Sequence, residues 1–169
     1  MGGVLTYDSA NNIATVDTGN TSYRYLYFSI LPGVAFAVYS ADDTSLTFYK
    51  NRNSVTSWQE YKGKTATKVY TGTEDDGYIG DWSSYSSIIT SVKVIDKISP
   101  KSIAFWFSDF SNPSLTMDLS KLDTSNVQFM ISMFANATVT KLDIDSWDVS
   151  NVIDMSGMFS HTTFNQDIG

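Results

Sequence analysis

The chain has 169 residues, 42% hydrophobic and 14% aromatic, enough to bury a core as one domain or as a small domain fused to a short array. It has no cysteine, which excludes disulfides, thiolate metal sites and cysteine nucleophiles. A formal net charge of −7, with eleven scattered basic residues, argues against nucleic-acid phosphates and anionic lipid as partners, because either requires clustered Lys and Arg.

From Val4 to about Pro100 the pattern is one of short strands punctuated by turns. Val4–Tyr7 and Ile13–Val16 flank a five-residue polar loop and read as a hairpin. Tyr23–Ile30 and Val34–Tyr39 follow, split by Leu31-Pro32-Gly33. Phe36–Tyr39 and Ser45–Tyr49 predict a second hairpin around Ser40–Thr44, and Thr67–Tyr70 and Ile88–Ile95 complete the strands. Gly72–Tyr85 is punctuated by glycine and lacks periodicity, so it reads as a long exposed loop. Trp58, Tyr61, Tyr78, Trp82 and Tyr85 fall in loop-like segments and are candidate partner contacts, the alternative being that they cover the β core.

Beyond Pro100 the sequence repeats itself. Leu122–Phe134 recurs as Trp147–Phe159 at an offset of 25 residues, and Met117-Asp118-Leu119 falls on Leu142-Asp143-Ile144 at the same offset. The alternation in these triplets predicts a short strand. Val127, Met130, Ile131 and Phe134 stand at i, i+3, i+4 and i+7, as do Val152, Met155 and Phe159, which predicts a short helix capped at Ser125 or Asn126 and at Ser150 or Asn151. An earlier stripe, Ile103 to Phe110, aligns with Val127 to Phe134 at an offset of 24 and places Trp106 on Met130. The expected repeat core is Leu119, Val127, Met130, Phe134, Ile144, Trp147, Val152, Met155 and Phe159, with Met130 and Met155 in equivalent buried positions.

The run W-D-V-S-N-V-x-D-M-S-G-M-F at Trp147–Phe159, followed by Phe164-Asn165-Gln166-Asp167-Ile168, resembles the BspA-like leucine-rich repeats of bacterial surface proteins over roughly residues 103 to 169. Ala37–Asp43 and Gly63–Gly72 are similar to segments that often precede the first repeat of such proteins. The chain departs from the pattern where Trp106 and Asp109 replace methionines and where Leu122-Asp123 replaces W-D. The resemblance implies a β-rich α+β fold: a capping region over residues 1–100, then about two and a half strand-plus-helix units over 101–169 stacked as a short solenoid. It further implies a non-enzymatic, extracellular adhesion or host-interaction module that presents a repeat surface to a protein or glycan.

The chemistry otherwise legible is sparse. Asp118, Asp123, Asp143, Asp145 and Asp148 supply oxygens of the kind calcium takes, yet no D-x-D-x-D-G loop is present, and turn or capping roles explain them. His161 is the single histidine and lies in a polar return, so neither a triad nor a histidine metal site is expected. Phosphate-binding glycine motifs do not occur, and no cofactor or metal is expected. No apolar run approaches the ~20 residues of a membrane span. In Met1-Gly2-Gly3, Gly2 with Thr6 formally fits a myristoylation pattern, and a cloning or natural start codon is the favoured explanation. It leads straight into Val4 with no apolar leader, so secretion signals lie outside this sequence or the protein leaves its cell by another route. That second route motivates an alternative function, a structural or decoration protein of a phage capsid or tail. The last unit stops short of its next neighbour, which predicts that Val152, Met155, Phe159 and Phe164 lie at an open end available to further sequence, to self-association or to a partner.

Overall fold

A computed structural model of the chain describes residues 4–8, 13–17, 25–26, 34–51, 60–61, 63–71, 73–74 and 81–168. The chain divides into two compact units, one of residues 1–34 with 51–54 and one of residues 35–50 with 55–169. In the first, strands β1 (Val4–Asp8) and β2 (Ile13–Asp17) pair antiparallel with Val4 opposite Asp17, which is the hairpin the sequence predicts. Strand β3 (Tyr25–Leu26) adds antiparallel to β2.

The second unit is built on strands β4 (Val34–Ser40), β5 (Ser45–Asn51), β8 (Lys68–Thr71), β9 (Ser91–Val94) and β10 (Thr116–Asp118), with a small antiparallel pair of β6 (Glu60–Tyr61) and β7 (Lys64–Thr65) beside them. The five strands form one mixed sheet in the order β10-β9-β5-β4-β8. Strand β8 runs antiparallel to β4, whereas β9 runs parallel to both β5 and β10. Period-two alternation explains the two faces. Ala35, Ala37, Tyr39, Leu46, Phe48, Tyr70, Val92 and Val94 enter the main core, while Phe36, Val38 and Tyr49 form a smaller cluster with Ala66.

The predicted solenoid of strand-plus-helix repeats is not what the chain forms. Among the described residues there is no α-helix; the one helical element is a 3-10 turn at Asp81–Tyr85, and residues 142–144 form no strand. The stripes expected to be helical are ribbons of tight turns. The cause is local: Phe105 and Asp109, Ser132 and Asn136, and Gly157 and His161 all have left-handed φ, between 48° and 65°. Left-handed residues four apart interrupt the i to i−4 ladder that a helix needs, and short polar residues or glycine are the types that adopt φ > 0 at least cost.

These ribbons lie edge to edge. The amides of Ile103, Phe105, Phe107 and Asp109 donate to the carbonyls of Phe129, Ile131, Met133 and Ala135, at 2.8–3.0 Å. Those of Met130, Ser132, Phe134 and Asn136 donate to Asp154, Ser156, Met158 and Ser160, each at 2.9 Å. Ile103, Met130 and Met155 are therefore equivalent, as are Trp106, Met133 and Met158, and Phe107, Phe134 and Phe159. Trp106 thus falls on Met133 and not on Met130; the expected alignment slips by three residues. The phenylalanines stack, with centroids 5.6 Å apart from Phe107 to Phe134 and again from Phe134 to Phe159. Phe164 closes on Phe159 at 4.3 Å.

Candidate partner-binding face

The third ribbon repeats the backbone geometry of the first two, and among the described residues no further ribbon pairs with it. Within each ribbon the carbonyls turn back onto amides three residues on: Met130 O accepts from Met133, Ser132 O from Ala135, Met155 O from Met158 and Gly157 O from Ser160. The amides at Met155, Gly157, Phe159 and His161 occupy the places from which Met130, Ser132, Phe134 and Asn136 donate across, and among the described residues they have no acceptor. Burial falls in step. Ile103 and Met130 are fully buried, whereas Met155 is 47% exposed.

Beside this edge lies a concavity of about 510 Å³ lined by Met130, Ile144, Trp147, Val149, Met155 and Ile168, with Asp145 as its one acid. Val149 and Ile168 are exposed, as is Ile153 nearby. Trp147 stacks on Phe134 at 6.5 Å, and its indole Nε1–H is buried without an acceptor among the described residues. Chemically the face offers a row of backbone donors and an apolar trough, the composition of a docking surface.

The acidic residues are bound up in turns. Asp118 Oδ1 accepts from Ser120 N at 3.2 Å and Oγ at 2.7 Å, and Asp123 Oδ1 accepts from Ser125 N at 3.1 Å and Oγ at 2.7 Å. Asp148 and Asp154 likewise accept the amides of Ser150 and Ser156, at 2.9 and 2.8 Å. The serine bonds hold all four carboxyls below the usual carboxylate range. Asp123 is lowered from 3.8 to about 2, by the Ser125 hydroxyl first and then by Lys97, whose Nζ stands 3.0 Å away. Ser125 and Ser150 thus close Asx turns in place of capping helices. Asn126 and Asn151 clip neighbouring segments together, donating to Ser99 Oγ at 2.9 Å and to Ser125 O at 2.7 Å. Among the described residues no group of three or more His, Cys, Asp or Glu side chains is placed to hold a metal ion. His161 is exposed and stands where Asp109 and Asn136 do in the earlier ribbons, a turn position; Asn136 Nδ2 donates to Asp109 Oδ1 at 2.9 Å.

Of the aromatics expected to meet a partner, Trp82 is fully buried: the 3-10 turn directs its indole edge-on against Phe48, Tyr70 and Trp106, and Nε1–H donates to Trp106 O. It belongs to the core. Tyr85 is half-buried, stacked on Tyr39 at 4.1 Å. Trp58 and Tyr78 lie outside the described residues, as does the side chain of Tyr61 in β6. Of the expected repeat core, Leu119, Val127, Met130 and Phe134 are buried, and Ile144, Trp147, Val152 and Phe159 pack against the core partly exposed. Met155 is the correction: among the described residues no ribbon lies beyond it, and its side chain is 47% exposed. Sequence reasoning did not single out Val149, Ile153 and Ile168, although apolar residues off the predicted stripe are the signal for them.

No helix among the described residues is long and apolar enough to cross a membrane. A family model described as "Mycoplasma protein of unknown function, DUF285" matches residues 101–169, the segment that carries all three ribbons. No curated protein and no solved structure matches the chain.

Proposed function

We propose that this chain is a non-enzymatic binding module, displayed outside a cell, whose C-terminal face engages a protein or glycan partner. The observation that carries this reading is the concavity lined by Trp147, Val149, Met155 and Ile168, next to backbone donors that have no acceptor among the described residues. Apolar surface of this kind, open beside polar groups, is characteristic of interaction sites. The repeat resemblance supports the same reading, since the family matched over residues 101–169 is associated with BspA-like repeat surface proteins.

The test is a binding screen of the immobilised chain against glycans and extracellular proteins, run in parallel with Met155→Asp and Val149→Asp. Both side chains are about half exposed, so the substitutions should leave the fold intact. Ligands retained by the native chain and lost by both variants would support the reading. Ligands bound equally by all three would move the function off this face.

A further inference from the structure

Across the segments that lead into successive ribbons lies a second cavity, a groove of about 420 Å³ walled by Lys97, Lys121, Asp123, Thr124, Ser146 and Asp148. It shares no lining residue with the apolar trough. Along Asp145–Val149 alternate residues part company: Asp145, Trp147 and Val149 line the trough, and Ser146 and Asp148 line the groove. The charges of the groove balance, two ammonium groups against two carboxylates.

Thr124 is the unusual member of this lining. It is 3% exposed, yet its hydroxyl makes no hydrogen bond among the described residues. A buried polar group without a partner opposes folding. The repeat itself does not require a hydroxyl there: the 25-residue offset that sets Asp123 on Asp148 and Ser125 on Ser150 sets Thr124 on Val149, its apolar isostere. Nor is the hydroxyl sealed off. Among the described residues, the buried side-chain polar atoms closed to solvent and without a partner belong to Thr73, Trp106 and Trp147. The sliver of Thr124 left open therefore carries its oxygen, and Thr124 opens on the groove.

The groups around it keep bonding capacity to spare. Lys97 Nζ stands 3.0 Å from Asp123 Oδ2, Lys121 Nζ donates to Ile95 O at 2.8 Å, and Asp148 Oδ1 accepts from Ser150 N at 2.9 Å. An ammonium has three donors and a carboxylate about four acceptor sites, so donors and acceptors alternate around an unclaimed hydroxyl. An anion entering here meets Asp123 and Asp148, and a metal cation meets Lys97 and Lys121. Leu122 is the one apolar residue in the lining, so the side chains of an apolar peptide find little to pack against. A neutral molecule whose polar groups each donate and accept fits best, and that is the chemistry of vicinal sugar hydroxyls. The volume falls within the range of small-ligand sites.

We infer that this groove is a saccharide-binding site, in which Thr124 Oγ1 and the second carboxylate oxygen of Asp148 hold neighbouring hydroxyls of one sugar ring while Lys97 and Lys121 donate to others. It goes beyond the proposed C-terminal face and stands or falls separately from it.

The test is an amide-resolved NMR titration of the full chain with free glucose, galactose, mannose and N-acetylglucosamine, repeated on Thr124→Val, Asp148→Asn and Met155→Asp. At least one sugar should shift the amides of Thr124, Ser146 and Asp148, with a Kd on the order of a few millimolar. Thr124→Val should weaken that binding about threefold or more and Asp148→Asn about tenfold, while Met155→Asp leaves it unchanged. Because the deleted hydroxyl has no partner in the fold, Thr124→Val should melt at or above the native temperature. No shift with any sugar at about 50 mM, well above that Kd, would overturn the inference. So would binding indifferent to Thr124→Val, or a Thr124→Val chain that melts lower. Calcium, inorganic phosphate or blocked tetra-alanine shifting these amides where the sugars do not would overturn it in favour of an ion or peptide site. Sugar binding abolished by Met155→Asp and kept by Thr124→Val would overturn it while leaving the proposed function standing.

Discussion

Met130 and Met155 hold the same place in consecutive turn ribbons, yet the first is fully buried and the second is 47% exposed. Their difference arises from what lies beyond: Met130 donates its amide to Asp154 and is roofed by the third ribbon, and Met155 has no roof among the described residues. Met130→Ala should therefore cost roughly 2 to 5 kcal/mol in denaturant unfolding, through lost packing and a cavity. Met155→Ala should stay within about 0.5 kcal/mol of the native chain.

Trp82 should behave as a core residue. Trp82→Ala should destabilise by roughly 3 to 5 kcal/mol. Trp82→Phe keeps an aromatic ring but strands the carbonyl of Trp106, and should cost about 1 to 3 kcal/mol. Unaltered stability in both variants, measured by thermal unfolding, would return Trp82 to the surface.

Acid should weaken the turns. Asp123 holds its proton less tightly folded than unfolded, so its contribution is complete above the ordinary carboxylate range and is lost as pH falls from 3.8 towards 2. Lys97 is largely exposed, which screens the pair and limits the effect to about 1 kcal/mol. Asp123→Asn keeps an acceptor for Ser125 and should flatten that part of the stability profile, with urea midpoints at neutral and acid pH as the measurement.

Gly157 sits at φ +65°, and a Cβ there would meet Ser132 Oγ at 3.1 Å. Gly157→Ala should cost about 1 to 2 kcal/mol for the left-handed backbone, plus the crowding. Adding Ser132→Ala, which removes Oγ while keeping a Cβ at that left-handed position, should recover the steric part alone. Full recovery in equilibrium unfolding would show that the backbone is not strained there.

The strands of the sheet were legible because each obeys a strict alternation. In β4, Ala35, Ala37 and Tyr39 enter one cluster and Phe36 and Val38 the other. The ribbons were misread because Val127, Met130, Ile131 and Phe134 are spaced like one face of a helix, a spacing that a chain of turns also produces. The corrective signal was present in Asp109, Ser132, Asn136 and Gly157, residues suited to φ > 0 at four-residue intervals. The same threefold spacing disguised the slip that set Trp106 on Met130. Trp82 carried no periodic signal, because five residues of 3-10 turn are too few to show one. The row of amides from Met155 to His161 was not legible at all, since it depends on where each backbone group turns and not on side-chain type.

Trp147 gives the face a built-in optical label. Trp82 and Trp106 are sealed within aromatic surroundings, whereas Trp147 lines the open trough with its indole N–H unpaired among the described residues. A collisional quencher such as acrylamide will therefore reach Trp147 before Trp82 or Trp106, once Trp58, which lies outside the described residues, is replaced by Phe. Anything that settles into the trough will shield that fraction of the emission and shift its colour, so occupancy of the face can be followed in a Trp58→Phe chain without attaching a dye.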